Sequence, residues 1–247
     1  MCRYAAGVST DPFLTSASME GVPSAYAATR DGIDSLIRDR GLRRTSPAIT
    51  VESLLLGAVA TAALEGSDFT VDELRAGGGD DIARAAVRLS SELLGLVPVW
   101  NRAPLQAIAR IHAVAASGLI DAEKVGRPVN AEGASRLSML SRLVQQPTQA
   151  PGLVVAALVH AEIVAADAFV SLNGVVARAA ERVVMVAKGV DPASVTVPEA
   201  GHAAEPDGYR GALAAYARGD SAGVNQWPMY ASQAFVRGAD VAPLNIR

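Results

Sequence analysis

Small aliphatic residues dominate this chain, and they constrain its fold more than any motif does. Half of the residues are hydrophobic while only 4% are aromatic, so a core must be built mainly from Ala, Val and Leu. Such side chains favour closely packed helices over a β-sandwich. No alternating apolar and polar runs pair up as strands, and no internal repeat occurs. The expectation is an all-α fold, one compact helical domain with an N-terminal helical extension.

Helix signals divide the chain further. Residues 1–22 mix Ser, Thr, Gly and Pro and read as a loose arm. Ser24 is placed to cap a helix to about residue 40, with Ile33, Leu36 and Ile37 as its apolar stripe. A second helix spans about 48–64 and stops at Gly66, and Thr70 to Glu73 has capping-box spacing. Further helices are expected over 82–94, 98–117, 134–145, 153–166, 173–188 and about 207–218. In the 98–117 helix, Leu105, Ile108, Ile111 and Val114 are expected to face inward. The tail after Gly219 keeps Trp227, Tyr230 and Phe235, enough aromatic surface to dock. The division expected is an N-terminal helical region over 1–95 and a helical core with C-terminal helices over 96–247.

Charge and composition exclude several classes. The net charge is −3 and the sequence pI about 5.7, with no basic stripe for nucleic acid. The basic run from Arg38 to Arg44 reads as a helix end entering a loop. A single cysteine, Cys2, rules out an intrachain disulfide and suits a reducing compartment. The longest apolar stretches, near 54–64 and 153–159, fall short of a bilayer span, so a cytoplasmic protein without membrane contact is expected. The three histidines, His112, His160 and His202, show no metal-ligand spacing, and no metal is expected. His112 reads as a packing residue and His202 as exposed loop. Gly77-Gly78-Gly79 lacks the following Lys and the preceding strand of a phosphate loop. Neither a nucleophile elbow nor a GxGxxG occurs.

The segment DAFVSLNGVVAR, residues 167–178, sets an Asn-Gly pair inside an apolar region. His160, Val164 and Asp167 share one face of the helix before it. Asn173-Gly174 opens the next helix, whose free N–H groups and partial positive charge suit an anion. Arg178, one turn on, can add a charge-assisted bond to the same anion. A purely structural turn would use the same two residues.

The stretch from Leu153 to Arg178 resembles the Fic (Fido) domain proteins, which typically transfer AMP from ATP to a protein hydroxyl. Their signature is His-Pro-Phe-x-Asp/Glu-Gly-Asn-Gly-Arg-x-x-Arg, with another His seven residues upstream. His160 fills the upstream position, Phe169 the aromatic one, Asn173 and Gly174 the Asn-Gly pair, and Arg178 the final arginine. The resemblance extends over roughly 95–235. Further upstream, TAALEG at 61–66 resembles the Ser/Thr-x-x-x-Glu-Gly/Asn pattern of the inhibitory helix many of these proteins carry, here at about 48–66. The resemblance implies that Glu65 pairs with Arg178 and prevents productive placement of the ATP γ-phosphate.

Departures fall on the residues that carry the family's chemistry. Asp167 stands at the catalytic His, Ala168 at the Pro, Ser171 at the metal-holding acid, Leu172 at the first Gly and Val175 at the first Arg. A histidine near pKa 6.5 accepts a hydroxyl proton at neutral pH; an aspartate near 3.9 is a far weaker base unless burial raises it. A serine hydroxyl is a poor magnesium ligand, and a lost arginine removes charge from the polyphosphate site. The leading expectation is a pseudoenzyme that lacks standard AMP transfer and acts by binding a nucleotide or a protein partner. ATP with magnesium is the ligand pair the resemblance implies, and Asn173, Gly174 and Arg178 are the phosphate-binding candidates. Two alternatives stay open: a divergent nucleotidyl or phosphate-group transferase using Asp167, and a structural or homo-oligomeric helical protein with a closed site.

Overall fold

The computed structural model describes residues 11–39 and 47–243. Cys2 and the Arg40 to Arg44 part of the basic run lie outside the described residues. Among them the chain forms thirteen α-helices and a short 3-10 turn, with no strand.

The helices are α1 (Pro12–Ala17), α2 (Val22–Asp39), α3 (Pro47–Leu64), α4 (Val71–Arg75), α5 (Asp81–Leu93), α6 (Val97–Arg102) and α7 (Pro104–Ala116). They continue with α8 (Ala131–Val144), α9 (Gly152–Ala166), α10 (Asn173–Ala187), α11 (Pro198–Ala203), α12 (Pro206–Arg218) and α13 (Ser221–Asp240). Caps explain many of the starts. Asp11, Asp80, Asn130 and Asp220 each accept a backbone N–H from the first turn of the helix they precede. Thr70 and Glu73 form the capping box their spacing predicts.

The centre is α9, buried on every face from Leu153 to Ala161. Over that stretch its residues are Ala, Val and Leu with one histidine, so neighbouring helices approach closely. α10 packs beside it; α7, α8, α12 and α13 surround the pair, and α3 lies outside, against α5 and α11. Phe13, Tyr26 and Ile33 from the N-terminal helices join α9, α10 and α13 in one hydrophobic core, which therefore draws on both sides of position 95.

Several expectations are corrected. Residues 12–17 are not loose: Pro12 occupies the first helical turn, Asp11 caps it, and Phe13 is buried. Ser24 is no cap; the second helix begins at Val22, and the Ser24 hydroxyl donates back to Gly21 O. The single helix expected over 98–117 is two, because Pro104 has no N–H to continue α6 and restarts the chain as the first residue of α7. Within α7 Leu105 is 38% exposed, against the inward position expected for it, while Ile108 and Ile111 are fully buried. The short α11 over Pro198–Ala203 was read as loop. α3, with residues 47–53 added to the apolar stretch, has the length and composition of a membrane span at mean hydropathy 1.6. Here it is a packed helix whose buried Ser53 hydroxyl donates to Thr196 O.

Candidate anion site and the buried clusters behind it

Residues 167–173 join α9 to α10 through a tight loop held by one side chain. Asp167 closes α9 in the left-handed region at φ 41°, and Leu172 enters α10 from the same region at φ 62°. A leucine there is strained where the family signature has glycine. Asn173 spans the loop: its Oδ1 accepts the Phe169 N–H at 3.0 Å, and its Nδ2 donates to Phe169 O at 2.8 Å and Asp167 Oδ1 at 2.9 Å. Phe169 anchors the loop by stacking on His112, the centroids 4.1 Å apart. His112 is fully buried and accepts the Gly126 N–H through Nδ1, as a packing residue does.

The start of α10 faces a carboxylate of the same chain. Glu65 follows the last turn of α3, where Gly66 at φ 92° and the bond from Ser67 N to Ala62 O close the helix. Its Oε1 lies 2.6 Å from Arg178 Nη2, with the arginine side chain 1% exposed and the glutamate 26%. The same oxygen lies 3.0 Å from where a Cβ on Gly174 would stand, so the carboxylate rests on the first turn of α10. The position that helix geometry and Arg178 make attractive to an anion is filled by Glu65.

Arg178 is held on its inner side as well. Nη1 donates to the Tyr209 hydroxyl at 3.1 Å, and that hydroxyl lies 2.8 Å from His160 Nε2. Burial works against the guanidinium charge, but Tyr209 and Glu65 outweigh it and raise its pKa. Behind Tyr209, His160 Nδ1 is 3.1 Å from Glu181 Oε1, and His202 Nε2 is 2.9 Å from Glu181 Oε2. All three side chains are fully buried. Burial pulls the His160 imidazole down to about 4. Burial pushes the Glu181 carboxyl up, yet the two imidazoles overcome it and hold it at about 2.

A second buried pair ties the same helices together. Arg182 meets Glu199 in a two-pronged contact, Nε to Oε1 at 2.8 Å and Nη2 to Oε2 at 2.5 Å. Its Nη1 also donates to the hydroxyls of Ser53 on α3 and Ser194. Gly57 permits this: a Cβ there would stand 2.8 Å from both Arg182 Nη2 and Glu199 Oε2.

The sequence candidates thus separate into groups. Glu65, Gly174 and Arg178 come together. Asn173 lies at their edge with its amide committed to the loop, and Asp167, exposed, serves as that amide's acceptor. Ser171 offers only a hydroxyl at the metal-acid position, a poorer magnesium ligand than a carboxylate. Val175 is buried beside a gap of about 20 Å³ between α3, α5 and α10, space for a water and not for a phosphate. His202 is not loop; it is buried in α11 against Glu181, so two of three dispersed histidines meet a carboxylate in space. Tyr209, Glu181, Arg182 and Glu199 went unread. Only the buried-face positions of Glu181 and Arg182 on an otherwise apolar helix could have signalled them.

Known structures share this arrangement of helices. A Fic family protein from Desulfovibrio desulfuricans superposes with a TM-score of 0.73 at 16% identity, over 96% of this chain and 76% of that one. The fold is that of the Fic proteins. Fic-1 from C. elegans superposes at 0.64 and 15% identity, covering 88% of this chain and 72% of its own; a single-substitution variant of Fic-1 gives 0.65 and 18%, covering 87% and 70%. No protein-family model and no curated protein matches the sequence. In this chain α9, the 167–172 loop and α10 carry the stretch from Leu153 to Arg178, and α3 brings Glu65 over it.

Proposed function

We propose that this Fic-fold protein does not perform standard AMP transfer and acts by binding, through an anion site that its own Glu65 occupies. One observation carries the reading: the Glu65 carboxylate sits 2.6 Å from Arg178 against the first turn of α10. A carboxylate bound there is a stand-in for phosphate, since both are anions suited to free N–H groups and a guanidinium. The groups that would use a bound nucleotide are replaced, by Asp167 at the base position and Ser171 at the metal position. A ligand with a phosphate group, either a nucleotide or a phosphorylated or acidic segment of a protein partner, enters by displacing Glu65.

Purified protein and Glu65→Ala are incubated with ATP and magnesium, following both thermal unfolding and label transfer. Stabilisation of Glu65→Ala by about 1–3 kcal/mol at millimolar ATP, with little in the wild type and no transfer, is the expected outcome. Label transfer that disappears in Asp167→Ala would instead establish a divergent transferase. The absence of both effects would leave a closed structural protein, the reading favoured by the full commitment of the Asn173 amide to its own loop.

A further inference from the structure

His160, Glu181 and His202 come from α9, α10 and α11, and their ligating atoms all lie within 4.8 Å of one another. None of the three side chains is exposed. Among the described residues no lysine or arginine pairs with Glu181, whose partners are the two imidazoles. Arg178, one turn earlier on α10, is spent on Glu65, and the next residue, Arg182, is spent on Glu199. A fully buried carboxylate facing only imidazoles is a costly arrangement unless further positive charge completes it.

The contact geometry adds to this. His160 Nδ1 and Glu181 Oε1 face each other at 3.1 Å, yet the two are not aligned as a hydrogen bond and neither has another partner. Meanwhile the far nitrogen of His160 is fixed by the Tyr209 hydroxyl at 2.8 Å. Metal-bound histidines are oriented in this way, one ring nitrogen held by an outer group and the other turned to the ion. The rings of Tyr209, Trp227 and Tyr230 stand 4.9 to 5.9 Å from His202 and wall the cluster off from water.

We propose that His160, Glu181 and His202 form a divalent transition-metal site, separate from the anion site at Arg178. Two imidazoles and one carboxylate suit Zn²⁺ or Co²⁺, whereas magnesium and calcium take oxygen donors. Because the site is sealed, the ion enters during folding and its binding is coupled to the folded state.

The test uses the whole chain and does not depend on nucleotide binding. The metal content of the purified protein is measured, and the protein is then unfolded with a chelator and refolded with Zn²⁺, with Co²⁺ or with chelator alone. About one bound equivalent, visible d–d absorption of the Co²⁺ form and a lower Tm for the chelator-refolded protein are expected. His160→Gln and His202→Gln should lose the Co²⁺ bands, and His112→Gln should keep them. If either of the first two variants fails to fold, the wild-type refolding series decides alone. Metal-free protein whose Tm is unchanged and whose Co²⁺ refold shows no bands would overturn the site and leave a proton-sharing cluster.

Discussion

At the scale of single residues, Arg178 is the group most exposed to loss of its partner. Glu65→Ala removes its only carboxylate and leaves a guanidinium 1% exposed, with only Tyr209 and the Thr61 carbonyl as acceptors. Glu65 itself is 26% exposed, so water reaches the vacancy and softens the penalty. A loss of about 1–3 kcal/mol is expected by chemical denaturation, with Glu65→Gln recovering part of it. This pair was legible only through the resemblance to the Fic signature and its inhibitory-helix pattern, which implies that Glu65 meets Arg178. His202 was not, because PEAGHAAEPDG has the Gly, Pro and Asp content of a surface loop. Its burial is decided by Glu181 and Trp227, far away in sequence. Gly57 is a second sensitive position: a methyl there meets the tips of Arg182 and Glu199 at 2.8 Å. Gly57→Ala should cost about 1–3 kcal/mol through overpacking, read as a lower denaturation midpoint with unchanged slope.

At the scale of elements, α3 is fastened to α10 and to the segment just before α11 at two separated points. One is Glu65 to Arg178 at its C-terminal end, the other Ser53 to Arg182 and Thr196 nearer its start. Glu65→Ala therefore should leave α3 docked, its amides protected from hydrogen exchange, while the anion site opens. Arg182→Met should cost about 3–5 kcal/mol, because it strands the buried Glu199 carboxylate. Pairing it with Glu199→Leu should return most of that stability, which urea denaturation of the single and double variants would measure. The long helices were readable from their apolar spacing and caps. The division of α6 from α7 escaped the pattern because the stripe of Leu105, Ile108 and Ile111 lies wholly in α7 and carries no information about the segment before Pro104, whose missing N–H ends α6. α1 and α11, of six residues each, carry too few turns for a stripe to show.

At the scale of the whole molecule, α11 and α13 cross with almost no space between them. A Cβ on Gly201 would stand 1.9 Å from Ala234 O, closer than side-chain movement can relieve. Gly201→Ala should therefore separate the two helices and cost about 3 kcal/mol or more, visible as a large fall in Tm. The all-α architecture followed from the aliphatic composition, while the placement of α3 against α11 depended on buried polar contacts that no local pattern reveals. That placement also sets a timetable for synthesis. The buried polar partners of α3 lie far along the chain, 113 residues from Glu65 to Arg178 and 143 from Ser53 to Thr196. At ribosomal rates of about 5–20 residues per second, that gap lasts roughly 6–30 s. For that interval an 18-residue apolar helix of membrane-spanning hydropathy has only α4 and α5 to pack against, and the α10 and α11 side of its surroundings does not yet exist.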